Sequence, residues 1–187
     1  MSMKRFMVMC MSLLMATTML MAQDGAKKYG IKSGTIKMVS EVMGQKIEST
    51  SYFDDYGNLE ASNTKTFGME IATISRDGKM YMVNKAAKQV QEMPVQENVN
   101  FMNLSDEIIS KYKIQEVGNE TVAGKDCVKY TLEVSQMGQT VKLTVSVWNG
   151  IPMKTVTNAN GTDVTATVTN LVEGDVDPSL FIVPTFD

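Results

Sequence analysis

This chain contains few of the residue types that take part in catalysis or metal binding, and the most informative observation is that one of them is absent. Histidine is absent, which removes Ser-His-Asp and Cys-His catalysis, His-ligated zinc and any imidazole pH switch. The sequence also holds no phosphate-binding loop, dinucleotide fingerprint or cluster with metal-ligand spacing. We therefore expect a protein that is not an enzyme and needs no cofactor.

Three short features mimic catalytic ones without the context that those need. Ser62-Asn-Thr-Lys65 matches S-x-x-K, but that motif requires a helix start and S-D-N and K-T-G partners. Asp54 and Asp55 are adjacent on a predicted turn, so their carboxylates point apart. Cys127 has no histidine to activate it and alternates onto one face of a predicted strand, which indicates a buried, inert thiol.

Methionine is the remaining type with chemistry of its own. Thioethers bind Cu(I), and Met80-x-Met82 has a copper-like spacing, but on a strand this pair needs a third ligand nearby. Methionine also suits a pliable apolar cavity, and ordinary core filling is the simplest interpretation. No metal site is predicted. The methionines after position 22 are Met38, Met43, Met69, Met80, Met82, Met93, Met102, Met137 and Met153.

Length, charge and composition exclude several classes of protein. The chain has 187 residues, which fits one domain better than two. Apolar residues make up 43% and charged residues 21%, values typical of a globular protein rather than a disordered or multi-span membrane protein. A net charge of −3 argues against nucleic-acid binding.

The N-terminal segment reads as an export signal. Lys4 and Arg5 precede an apolar stretch from Phe6 to Met21, and Ala22 supplies a small residue for cleavage. We expect residues 1–22 to be a cleaved signal peptide, residues 23–187 to form a single domain, and the product to be periplasmic or secreted and not membrane-spanning. Cleavage of this segment removes two basic residues and no acidic ones, so the net charge of residues 23–187 is −5. It leaves Cys127 as the only cysteine, so the domain must be held by its core without a disulfide.

From residue 31 onward the dominant pattern is apolar alternation with period two, broken at turn residues. It predicts ten or eleven antiparallel strands joined by tight turns, in one strongly curved sheet or barrel. Asp77-Gly78, Asn149-Gly150 and Asn160-Gly161 are strong hairpin signals.

One stretch after the sixth strand departs from that pattern. Residues 103–113 place Leu104, Ile108 and Tyr112 on one helical face, with Asn103 as a plausible N-cap. We expect a short amphipathic helix across the opening of the sheet. Residues 177–181 predict one further helical turn, with Pro178 at its first position.

Three segments carry a resemblance to a known family: Gly118–Tyr130 (G-x-E-x-V-x-G-x-x-C-x-x-Y), Val147–Lys154 (containing W-x-G-x-P-x-K) and Val176–Pro184 (containing D-P-x-L-F-x-V-P). In this order they resemble the LolA/LolB-like (outer-membrane lipoprotein carrier-like) superfamily, in particular uncharacterised exported proteins of Gram-negative bacteria. The resemblance implies a half-open antiparallel β-barrel with a helical lid. Carriers latch their lid helices with an arginine, whereas the only arginine after position 22 here is Arg76, beside an Asp-Gly turn.

The resemblance leaves three function classes open. The first is a non-enzymatic periplasmic binder of a lipid, acyl chain or lipoprotein in an apolar cavity. The second is a periplasmic envelope sensor or regulator, and the third is a structural interaction protein with a filled barrel. For the first class, the expected ligand-binding residues are those of the lid and its approach: Phe101, Met102, Leu104, Ile108, Ile109 and Tyr112. The sequence does not predict an oligomeric state.

Overall fold

Eleven antiparallel strands form one sheet in a computed structural model of the protein, which describes residues 26–42, 44–66, 69–94, 99–136, 139–159 and 162–186. The strands are β1 (Gly34–Val42), β2 (Gln45–Asp54), β3 (Leu59–Thr66), β4 (Met69–Arg76), β5 (Lys79–Asn84), β6 (Gln89–Met93), β7 (Gln115–Val122), β8 (Lys125–Gln136), β9 (Gln139–Trp148), β10 (Ile151–Ala159) and β11 (Thr162–Glu173). Helix α1 (Asp106–Tyr112) lies between β6 and β7 in the sequence. Short 3-10 turns cover Asp55–Gly57 and Pro178–Phe181.

The order of strands across the sheet is β6-β5-β4-β3-β2-β1-β11-β10-β9-β8-β7. Strands β6 and β7 are therefore the two edges, and the sheet is not closed into a barrel. The predicted mainly β, half-open curved sheet with one short helix is confirmed. In the described ranges, each helix is too short or too polar to span a bilayer.

Two predicted hairpin turns are confirmed by backbone conformation. Asp77 and Gly78 have φ of 51° and 70°, and Asn149 and Gly150 have φ of 47° and 77°. Positive φ at both central residues is the type I′ turn that matches the twist of the flanking strands. The third predicted turn, 160–161, lies outside the described residues.

Cross-strand register defines the two faces of the sheet. Residues directly opposite each other point to the same face, so one row runs across six strands: Ile47, Ser40, Ala166, Thr155, Val145 and Tyr130. Val145 and Tyr130 belong to the apolar cluster that includes the residues of α1. We call this side of the sheet the helix face.

The C-terminal segment covers part of the opposite side, which we call the tail face. Phe181, only 3% exposed, packs against Ala61, Ile74 and Val83 of β3 to β5. Arg76 Nη1 donates a hydrogen bond to the Phe181 carbonyl over 3.2 Å. The single arginine after position 22 thus fastens the C-terminal segment to the end of β4.

Candidate binding site

The segment that precedes β1 bridges two turns from different halves of the sheet. The backbone N–H groups of Lys28 and Tyr29 both donate to the Tyr56 carbonyl over 3.0 Å, in the turn between β2 and β3. The Gly30 N–H donates to the Asn149 carbonyl over 2.9 Å, in the turn between β9 and β10. Residues 28–30 therefore connect two turns whose hairpins are separated in the sheet by two strands, β1 and β11.

A buried polar cluster secures this segment to β3. Lys28 Nζ lies 3.1 Å from Glu60 Oε2, and the Tyr29 hydroxyl donates to Glu60 Oε1 over 2.6 Å. The Tyr29 ring also meets the Phe53 ring edge-on, with centroids 5.0 Å apart. Burial raises the pKa of Glu60 although the Lys28 charge opposes that change. Burial, followed by the nearby Glu60 charge, raises the pKa of Tyr29.

A cavity of about 20 Å³ lies beside this cluster on the helix face. Its apolar lining includes Ile36, Met38 and Phe53, and its polar lining includes Ser51 and Ser62 as well as Glu60 and Tyr29. A cavity of that size holds about one water molecule. It is far smaller than the roughly 300–1,000 Å³ typical of a site for a drug-sized ligand.

Helix α1 begins later than the sequence predicted. Ser105, not Asn103, is the N-cap, and its hydroxyl accepts a hydrogen bond from the Ile108 N–H over 3.3 Å. Asn103 instead donates its N–H to the Asn100 carbonyl in the preceding turn. Both residue types cap helices well, so local propensity does not separate them, and the turn held by Asn100 moves the helix start by two residues.

Five of the six predicted ligand-binding residues lie in one cluster on the helix face. Phe101, Leu104, Ile108, Ile109 and Tyr112 pack against a group formed by Val99, Ile114, Leu132, Val145 and Val147. The Phe101 and Tyr130 rings are 5.4 Å apart between centroids. Every apolar side chain of α1 stays partly exposed, and no residue of the helix is buried.

The sixth, Met102, lies apart from that cluster and is 46% exposed. It lies beside Gly150, where an added Cβ would approach Met102 Cγ to 2.6 Å. The structure therefore brings Phe101 and Leu104 together with the apolar residues of α1, and places Met102 against the turn between β9 and β10.

The motifs that mimic catalytic ones have structural roles. Ser62 and Lys65 are three residues apart on β3 and so point to opposite faces, and the Ser62 and Thr73 hydroxyl oxygens are 2.6 Å apart. Cys127 is 1% exposed, and burial raises the pKa of its thiol, as expected of an inert cysteine. Among the described residues, no three His, Cys, Asp or Glu side chains converge as metal ligands.

Glu120 on β7 is the centre of an ion-pair network that extends to β10. Glu120 accepts hydrogen bonds from the Ser146 hydroxyl and, over 3.0 Å, from Lys154 Nζ, and Lys129 Nζ is 3.6 Å away. The Ser146 hydrogen bond, with help from these lysines, lowers the pKa of Glu120. The network joins four strands at the β7 end of the sheet.

Sequence reasoning missed the cluster of Lys28, Tyr29 and Glu60. Glu60 lies 32 positions after Lys28 and 31 after Tyr29. The only local signal was a glutamate in a strand where alternate residues on the same side, Ser62 and Thr64, are small and uncharged. Whether that side faces inward became known only from the register with the neighbouring strands.

Comparisons with known proteins agree on the fold. The family described as Domain of unknown function (DUF4412) matches residues 12–148. No curated protein matches the chain. An uncharacterized conserved protein from Thermus thermophilus is similar in structure, with a TM-score of 0.60, 10% identity and 94% of each chain covered.

The Pseudomonas aeruginosa MucA/MucB complex contains a chain similar to this one, with a TM-score of 0.54 and 18% identity. The match covers 81% of this chain and 56% of that one, so this chain spans little more than half its length. A putative outer membrane lipoprotein-sorting protein domain from Vibrio parahaemolyticus has 14% identity, coverage of 80% and 89%, and a TM-score of 0.39.

Proposed function

Since the chain belongs to the family described as Domain of unknown function (DUF4412), we propose that it is a non-enzymatic binding protein of the bacterial envelope. Its ligand is an acyl chain, carried by a lipid or a lipoprotein. In this proposal residues 1–22 are a signal peptide that is removed on export, and residues 23–187 form one binding domain in the periplasm. Sequencing the N-terminus of the exported protein tests the first part and should begin at or near Gln23.

The observation that carries the proposal is the contact between α1 and the sheet. Ile108, Ile109 and Tyr112 face the sheet, yet all of them remain partly exposed. On β8 and β9 the facing side chains Val134 and Leu143 are also only partly buried. Water still reaches apolar side chains on both sides of this contact. An apolar chain that enters it removes that surface from water, which lowers the free energy of the complex.

The chemistry of this contact suits an acyl chain. Each methylene removed from water contributes about 0.8 kcal/mol, so a long chain needs few polar contacts to bind. The small cavity beside Glu60 does not have the volume for such a chain. We therefore place the ligand between α1 and β8–β9, with Phe101, Leu104, Ile108, Ile109 and Tyr112 in contact with it and Met102 at the rim.

Ile108→Asp tests this placement against a sealed core. If the contact opens to a ligand, the variant weakens binding of a fluorescent fatty-acid probe while its melting temperature changes little. If α1 only seals a packed core, a buried carboxylate lowers the melting temperature strongly. Ser110→Asp is the matched control, because it adds the same charge at an exposed position of the same helix. Absence of probe binding by the unmutated protein at micromolar concentration, with a large loss of stability in Ile108→Asp, contradicts the proposal.

A further inference from the structure

Three methionines lie near one another on the helix face, beside the β6 edge of the sheet. Met80 on β5 lies directly opposite Met93 on β6. Met82 is two residues beyond Met80 on the same strand, so all three side chains point to one face. Directly opposite residues link this position to the buried polar cluster: Glu60 is opposite Ser75, Ser75 is opposite Met80, and Met80 is opposite Met93. The three methionines therefore lie on the helix face, the same face as Glu60 and α1.

The backbone spacing brings the three thioethers within reach of one ion. Opposite residues in an antiparallel pair have Cβ atoms about 4.5–5.5 Å apart, and residues i and i+2 on a strand are about 6.8 Å apart. A methionine side chain has three rotatable bonds beyond Cα. Rotation of the side chains alone can therefore bring the three sulfur atoms to one ion while the backbone stays in place.

The surroundings of the trio are unusual for core methionines. On β4, Ser75 is opposite Met80 and Thr73 is opposite Met82. On β6, Gln91 is opposite Met82. All three of these neighbours are polar. All three methionines are half-buried. A half-buried position shields the thioethers from bulk water while leaving an ion a route in.

We propose that Met80, Met82 and Met93 form a site for a soft monovalent cation, Cu(I) in the cell. Thioether sulfur selects Cu(I) over hard cations such as Mg²⁺ and Ca²⁺, which require oxygen ligands. The third ligand that the sequence spacing lacked is supplied by β6 across the hairpin. The inference is independent of acyl-chain binding, because the trio lies at the β6 edge and α1 packs on β8 and β9.

In the test, Ag(I), an air-stable soft cation, is added to purified protein whose methionine methyl groups are isotope-labelled. NMR follows the methyl signals. One equivalent of Ag(I) should shift the methyl signals of Met80, Met82 and Met93. Met69 and Met102, which are 47% and 46% exposed, are internal controls. Met69 lies at least about 13 Å along β4 from Thr73, the partner of Met82. Equal shifts at Met69 and Met102, or no shift in the trio, overturn the proposal.

Affinity is measured by anaerobic competition for Cu(I) with bicinchoninate. Met80→Leu, Met82→Leu and Met93→Leu should each weaken binding by at least about tenfold, because each removes one of three ligands. Met69→Leu should leave affinity unchanged. Leucine conserves volume, and an unchanged circular dichroism spectrum shows that each variant is folded. Unchanged affinity in all three trio variants contradicts the site.

Discussion

Lys28 Nζ lies 3.1 Å from Glu60 Oε2, and the two side chains are only 3% and 7% exposed. This ion pair joins residues 32 positions apart and fixes the segment before β1 onto β3. The same segment bonds to the turns at Tyr56 and Asn149. The ion pair and these backbone hydrogen bonds together fix the segment before β1 against the turn between β2 and β3 and the turn between β9 and β10.

Glu60→Gln should lower the free energy of unfolding by about 3–5 kcal/mol, because it removes one partner of a buried ion pair. Urea unfolding followed by tryptophan fluorescence measures the change. Glu92→Gln is the matched control: Glu92 pairs with Lys79 over 3.3 Å, but these side chains are 55% and 54% exposed. The control should lose less than about 1 kcal/mol. Similar losses in both variants contradict a special role for the buried pair.

Gly150→Ala should destabilise the protein more than Gly78→Ala. Both glycines have positive φ, 77° and 70°, which costs an L-residue about 1–2 kcal/mol. At Gly150 the new Cβ would also lie 2.2 Å from the Lys28 carbonyl oxygen, whereas nothing lies within 4 Å at Gly78. Overpacking adds about 1–3 kcal/mol. Thermal unfolding of the two variants measures the difference, and equal melting temperatures are the result that we do not expect.

Phe181→Ala should cost about 3–5 kcal/mol, the usual range for a buried aromatic side chain. Ile182→Ala, one position along, should be close to neutral, because Ile182 is 60% exposed whereas Phe181 is 3% exposed. Chemical denaturation of both variants tests whether the C-terminal segment is part of the folded core. A small loss in Phe181→Ala would show that this segment contributes little.

Acid should weaken the network around Glu120. The Ser146 hydrogen bond lowers the pKa of Glu120 from its usual 4.5. The unfolded state therefore takes up this proton first, and the stabilisation present above pH 4.5 is lost as the pH falls through the lowered pKa. Because Glu120 is partly exposed, the effect should stay below about 1 kcal/mol. Glu120→Gln should remove it, which unfolding curves at pH 7 and pH 3.5 measure. An identical acid loss in both proteins contradicts this role.

Much of the fold was predictable because its signals are local. Alternation from residue 31 onward located the strands, although the first of them begins at Gly34. Asp77-Gly78 and Asn149-Gly150 identified two hairpins by the backbone conformation that these residues favour. The buried state of Cys127 followed from the same alternation. The start of α1 was wrong by two residues, because Asn103 and Ser105 cap equally well in isolation.

What the sequence alone determined is thus the set of elements, their turns and the open antiparallel sheet implied by the family resemblance. Only the tertiary structure decided which side chains meet across it. Alternation assigns the residues of each strand to two faces. It does not say which residues of two strands lie side by side on the same face, because that depends on the register between strands that are distant in sequence. That register and long-range packing decide three contacts: the ion pair of Lys28 with Glu60, the hydrogen bond from Arg76 to the Phe181 carbonyl, and the position of Met93 opposite Met80.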